Sequence, residues 1–118
     1  MEKKNAILDK SFEFALEIIE YSELLEEKKK YVIARQLLKS GTSIGANIRE
    51  AQSSESRADF IHKLKIAAKE AQETEYWLML CNHSSSYPSN HLLPIKLEEI
   101  QKLFSSIISS AKKNSKNI

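Results

Sequence analysis

The chain of 118 residues contains one cysteine, two prolines and two glycines. Cys81 alone excludes an intrachain disulfide and cannot build a Cys-x-x-Cys metal site. So few prolines and glycines exclude a barrel or sandwich, whose many turns depend on those residues. Gly41 and Gly45 cannot by themselves form a glycine-rich phosphate loop. Long apolar runs are missing too. The longest uncharged stretch, Tyr76 to Ile95, holds Asn82, His83, three serines at 84–86 and Pro88, and is too polar to cross a bilayer. Lys3 and Lys4 resemble the start of a leader, but Asp9, Glu13 and Glu17 interrupt the apolar segment that should follow. A cytoplasmic location without membrane contact is expected, with the thiol reduced.

What the chain does contain is 42% hydrophobic and 29% charged residues, the balance of a folded globular chain. One domain over residues 1–118 is expected. Four segments repeat apolar residues at helical spacing and none alternates as a strand would. The seams are Leu8, Phe12, Ala15, Ile19 with a neighbouring line Phe14, Ile18, Tyr21, Leu25; then Ile33, Leu37, Ser40, Ile44, Asn47, Ala51. The third runs Phe60, Leu64, Ala67, Ala71, Thr74, Leu78, Cys81, and the fourth Leu93, Leu97, Ile100, Phe104, Ile107, Ala111. Their 3.5-residue average suits left-handed packing at about 20°. The pattern predicts an all-α, antiparallel up-and-down four-helix bundle with helices roughly over 5–27, 29–52, 57–83 and 92–113. The polar run at 26–30 ends the first helix, Ser56 with Asp59 starts the third in the manner of a capping box, and Pro94 is tolerable in a first turn.

Two helices carry surplus apolar lines. Ala34, Leu38, Gly41, Gly45 and Ile48 form a second line on the second helix, where glycines four apart permit close backbone approach. Ile66, Glu70, Glu73, Trp77 and Leu80 do the same on the third. A single bundle buries one broad stripe per helix, so Gly41, Gly45, Ile66, Trp77 and Leu80 are candidate contacts between copies. Burial on two sides within one bundle is the alternative.

The net charge of +2 conceals a strong segregation. Residues 1–27 carry eight acids and three bases; residues 28–69 carry three acids and ten bases. Lys28, Arg35, Lys39 and Arg49 cluster on one side of the second helix, and Lys65, Lys69 and Tyr76 share a face of the third with His62 and Gln72. Lysines contact phosphates without regard to sequence and an aromatic ring can stack on a base, so these residues are nucleic-acid-binding candidates for RNA or DNA. The competing reading places the acidic first segment against the basic second one, within a protomer or between copies.

Catalytic and metal signals are sparse. Di-iron bundles need two Glu-x-x-His motifs, and the nearest match here is Asp59-Phe60-Ile61-His62, so neither metal nor cofactor is expected. Ser40, Ser43, Asn47, Glu50 and Glu73 are expected to form a structural polar network that fixes helix register. His83 and His91 flank the loop and fit no nucleophile–base arrangement. Arg57 and His62 form an Arg-x4-His string, which resembles the catalytic string of the HEPN-type ribonucleases, small helical bundles that cleave RNA without metal. Ala58 stands where that family has a polar residue. A metal-independent ribonuclease is therefore the alternative to a non-enzymatic bundle.

The string Ser43-Ile44-Gly45-Ala46-Asn47-Ile48-Arg49-Glu50, followed by Arg57, Asp59-Phe60, Leu64, Ile66-Ala67 and Glu73-Thr74-Glu75-Tyr76-Trp77-Leu78, resembles the four-helix-bundle family of the 23S rRNA intervening-sequence proteins. Some members carry a ribosomal-protein name. The resemblance spans roughly residues 10–112, with departures at Ala51 and at Lys69-Glu70, where members commonly have Gly and Gly-Ser. It implies a homo-oligomer with a basic outer surface, since structures known for the family include homopentameric barrels; no activity is established for most members, and a non-enzymatic bundle is expected. A related branch, the accessory variability protein of diversity-generating retroelements, implies nucleic acid and a protein partner such as a reverse transcriptase.

Overall fold

The computed structural model describes residues 5–116, so Lys3 and Lys4 lie outside it. Four helices follow in order: α1 (Ala6–Glu27), α2 (Tyr31–Ala51), α3 (Arg57–His83) and α4 (Leu92–Lys116). Each packs on its neighbours in sequence, and α1 closes the ring on α4, with no close backbone approach across either diagonal. That is the up-and-down bundle the apolar spacing implies.

Local chemistry sets the helix ends. The Asn5 side chain accepts from the Leu8 amide at 3.3 Å, and the Ser56 hydroxyl accepts from the Asp59 amide at 3.0 Å. Asp59 itself turns to Lys63 at 3.5 Å instead of reaching back, so half of the capping box forms. After α1, Lys29 adopts a left-handed φ of 64°, which reverses the chain and delays α2 to Tyr31, two residues later than the spacing suggests. At the other end, Asn90 accepts from the Leu92 and Leu93 amides at 3.1 and 3.0 Å. Asn82 bonds Asn90 reciprocally, side-chain amide to carbonyl at 3.0 Å and side-chain oxygen to backbone amide at 2.7 Å. Tyr21 ties α1 to the same loop by donating to the Pro88 carbonyl at 2.5 Å. The 84–91 connection is thus braced from two helices.

In α3 the predicted seam from Leu64 to Cys81 is buried, and in α4 Leu93, Leu97, Ile100 and Phe104 are. In α1 the expected order of lines is reversed. Ile7, Ser11, Phe14, Ile18, Tyr21 and Leu25 face the core, while Phe12 and Ile19 are exposed. Both lines step by three and four residues, but only the inner one brings Ile18 onto Gly41 and Ser11 onto Gly45 while aiming Glu17 at Lys96 of α4. In α2, Ala34, Leu37, Ser40, Gly41, Ile44, Ile48 and Ala51 are buried, so most of the second line lies inside the same bundle. Gly41 is thus buried against α1, whereas Gly45 is half-buried and also lines a small cleft with Phe12 and Arg49. A Cβ at Gly41 would sit 2.9 Å from two Ile18 carbons, and one at Gly45 would sit 3.4 Å from the Ser11 hydroxyl. Both glycines bring α1 close.

Candidate nucleic-acid interface

The charge segregation of the sequence becomes a difference between sides of the bundle. Among the described residues, both ion pairs that join different helices lie between α1 and α4: Lys10 with Glu99 at 3.3 Å, and Lys96 with Glu17. The Lys96 pKa is raised, chiefly by that bond to Glu17. Among the described residues no acid of α1 pairs with a base of α2 or α3. Lys28, Arg35, Lys39, Arg49, Lys65 and Lys69 are all exposed and form no ion pair within that set.

The basic residues fall into two groups. At 100° per residue, Arg35, Lys39 and Arg49 share the outer face of α2, opposite its buried stripe. The Glu70 pKa on α3 is raised, first by burial and then by Glu73, and the nearby charge of Lys39 partly opposes that rise. Lys65, Lys69 and Tyr76 share the outer face of α3, and Tyr76 tilts against Trp77 with ring centroids 5.5 Å apart. This second group gains a member from α4. Lys112 lies on the α4 flank beside α3, and the nearness of the Lys65 ammonium lowers its pKa. Exposed ammonium groups near one another, with no carboxylate paired to them, give this side a positive field. Beside them runs an open groove of about 590 Å³ lined by Gln72, Gln101, Ser105, Ser109 and Lys112 over Phe104 and Ile108. Lys112 and the groove could not be read from sequence, because helical periodicity does not say which flank of α4 meets which flank of α3.

The expected polar network does not come together. Thr74 donates its one hydroxyl proton to the Glu70 carbonyl at 2.8 Å, and its oxygen accepts from the Ser40 hydroxyl at 2.8 Å across the α2–α3 seam. Ser43 and Asn47 bond carbonyls one turn back in their own helix, Lys39 and Ser43, at 2.7 and 2.9 Å. Glu50 is exposed, and Glu73 is engaged by the Trp77 indole at 3.2 Å. Asn47 sits too far toward the helix flank to cross the seam. The partner that sequence reasoning missed is Thr74, a seam residue whose hydroxyl was the available signal.

Arg57 and His62 diverge as well. Five residues separate their side chains by about 140° around the helix. Arg57 lines a groove with Ser54, Ser56 and Ser110, while His62 is exposed on the outer face. Of the other contact candidates, Ile66 and Leu80 are exposed and Trp77 is half-buried against the core. No group of three or more metal-ligating side chains occurs among the described residues, and no helix among them is long and apolar enough to cross a membrane.

Fold and surface together define a charge-segregated, antiparallel four-helix bundle. The chain belongs to the 23S rRNA-intervening sequence protein family, whose model matches residues 3–109. It is 50% identical to a protein of unknown function from the S23 ribosomal protein family of Bacteroides thetaiotaomicron. The two structures align with a TM-score of 0.82 over 86% of this chain and 97% of that one. No curated protein matches the chain.

Proposed function

We propose that this protein is a non-enzymatic, self-associating bundle of the cytoplasm that binds the phosphate backbone of RNA or DNA. The outer face of α3, extended by Lys112, is the contact surface. The observation that carries the reading is the exposed basic face of Lys65 and Lys69, with Lys112 at the neighbouring groove and the Tyr76 ring beside it, and with no ion-pairing acid among the described residues. Like charges repel when left alone and are relieved by an anion between them. Such contacts position a nucleic acid without reading its sequence. A role as accessory to a nucleoprotein fits such binding; a protein partner such as a reverse transcriptase is what the resemblance to the retroelement branch implies. The ribonuclease alternative rests on the Arg57–His62 spacing, with Ala58 departing from that family's pattern.

Binding of labelled RNA and DNA at two salt concentrations tests this reading. Wild type should bind without sequence preference and weaken steeply as salt rises, through counterion release. Lys65→Glu/Lys69→Glu should lose most of that binding, while Arg57→Ala/His62→Ala should keep it and leave RNA intact. Binding indifferent to Lys65→Glu/Lys69→Glu, or RNA cleavage lost in Arg57→Ala/His62→Ala, overturns the proposal.

A further inference from the structure

The groove between α3 and α4 is left open by the side chains that border it. Its floor is Phe104 and Ile108, and its walls carry Gln72, Ser105, Ser109 and Lys112 around a volume of about 590 Å³. At Ser105 and Ser109, both exposed, α4 presents short side chains where longer ones would fill the space. The opposite flank of α4 differs: there Lys10–Glu99 and Lys96–Glu17 bridge the two helices. Among the described residues a single side-chain bridge joins α3 to α4, at one end of the groove, where Gln101 donates to Glu75 at 3.2 Å.

That bridge also sets the register of the two antiparallel helices. Lys112, eleven residues beyond Gln101, stands level with Leu64 and Lys65, about 17 Å along the groove. Lys65 and Lys112 therefore mark one end, with Lys69 one turn further along α3. None of the three forms an ion pair among the described residues. The other end lies beside Tyr76, which is 55% exposed on the same outer face of α3. Between the ends Gln72 brings an amide and the serines bring hydroxyls, groups that both donate and accept. Pockets for small ligands span about 300–1,000 Å³, so the groove has room for a planar heterocycle with its sugar.

We infer that the α3–α4 groove takes an unpaired base of a single-stranded nucleic acid, with the adjoining phosphates against Lys65, Lys69 and Lys112. The inference rests on the phosphate-backbone reading above and narrows its substrate to strands with free bases. An unpaired base has an apolar face for the Phe104–Ile108 floor and a bare hydrogen-bonding edge for Gln72 and the serines. A duplex uses both internally and offers the lysines only its phosphates. An acidic polypeptide would satisfy the lysines but leave the amide and the apolar floor without a partner. A rotatable amide matches any base edge, so single strands are preferred over duplexes without a preference among sequences.

Fluorescence anisotropy of the full-length chain with labelled strands tests the groove. Single-stranded RNA and single-stranded DNA should each bind about tenfold tighter than the duplex of the same sequence, the worth of one or two net hydrogen bonds. An abasic DNA strand of equal length keeps the phosphates and lacks the bases, and should lose that advantage. Ser105→Leu/Ser109→Leu fills the groove at two exposed positions. Its helical circular dichroism and duplex binding should match wild type while the single-strand advantage disappears; Gln72→Ala should remove part of it. Lys65→Glu/Lys69→Glu should weaken single strand and duplex alike. An abasic strand or a duplex that binds as tightly as the single strand, or an advantage that survives Ser105→Leu/Ser109→Leu, overturns the groove and leaves the phosphate-backbone reading standing. Polyglutamate that competes as well as a single strand overturns it too, since carboxylates would then suffice. Absence of binding to every strand at low salt overturns both readings.

Discussion

The two glycines of α2 are adjacent turns of one helix, yet replacing them with alanine should shift stability in opposite directions. In a helix interior, Gly→Ala gains about 1 kcal/mol of propensity. At Gly45 the added Cβ would find the Ser11 hydroxyl at 3.4 Å, an ordinary contact, so most of that gain should survive. At Gly41 the same atom would stand 2.9 Å from both Ile18 γ carbons, inside normal contact distance, and Ile18 is completely buried. Overpacking of a closed core costs about 1–3 kcal/mol. The net effect at Gly41 is then a loss of about 0–2 kcal/mol, placing the two variants about 1–3 kcal/mol apart. With a urea dependence of about 1–3 kcal/mol per molar, unfolding midpoints at one fixed protein concentration should differ by something on the order of 1 M. A cycle with Ile18→Ala sharpens the test. That truncation alone should cost about 2–5 kcal/mol, and appreciably less beside Gly41→Ala, because the new methyl occupies part of the cavity. Equal shifts for the two glycines, or an additive cycle, would refute the packing argument.

Thr74→Val should destabilise by about 1–2 kcal/mol, because it leaves the buried Ser40 hydroxyl without its 2.8 Å partner; adding Ser40→Ala should recover part of the loss in a double-mutant cycle. Burial pushes the Cys81 thiol pKa above its ordinary 9.0, so the folded chain holds the proton where the unfolded chain releases it. Stability should accordingly fall as pH rises past that value, and a thiol reagent at lower pH should react only at the rate of unfolding.

The bundle was legible in the sequence because its helices declare themselves by period and its breaks by chemistry: the polar 26–30 run, Ser56, and the serine–proline loop all end or start helices where the structure does. The α1 seam was misjudged for a reason intrinsic to periodicity. Two apolar lines on one helix are equivalent until a partner is known, and the partner surface, Gly41 and Gly45, lies elsewhere in the chain. The same limit explains Asn47. Its place in a seam suggested a cross-helix bond, but a half-buried flank position let it bond the Ser43 carbonyl instead. The basic faces of α2 and α3 followed from spacing alone, whereas Lys112 required knowing how α4 lies on α3.

Closure of the ring has a further consequence for the order in which the molecule opens and closes. Three of its four seams join helices adjacent in sequence, so their contacts form by short loop closures. The α1–α4 seam instead joins the two ends of the chain, and it is the least extensive of the four. Its cross-helix ion pairs are solvent-exposed, and pairs of that kind add little. Parting this seam leaves a linear relay of three hairpins centred on α2–α3, with the Ser40–Thr74 bond intact at its middle. Partial unfolding thus has a natural starting line along α1–α4, and the central hairpin is the last cooperative unit to come apart.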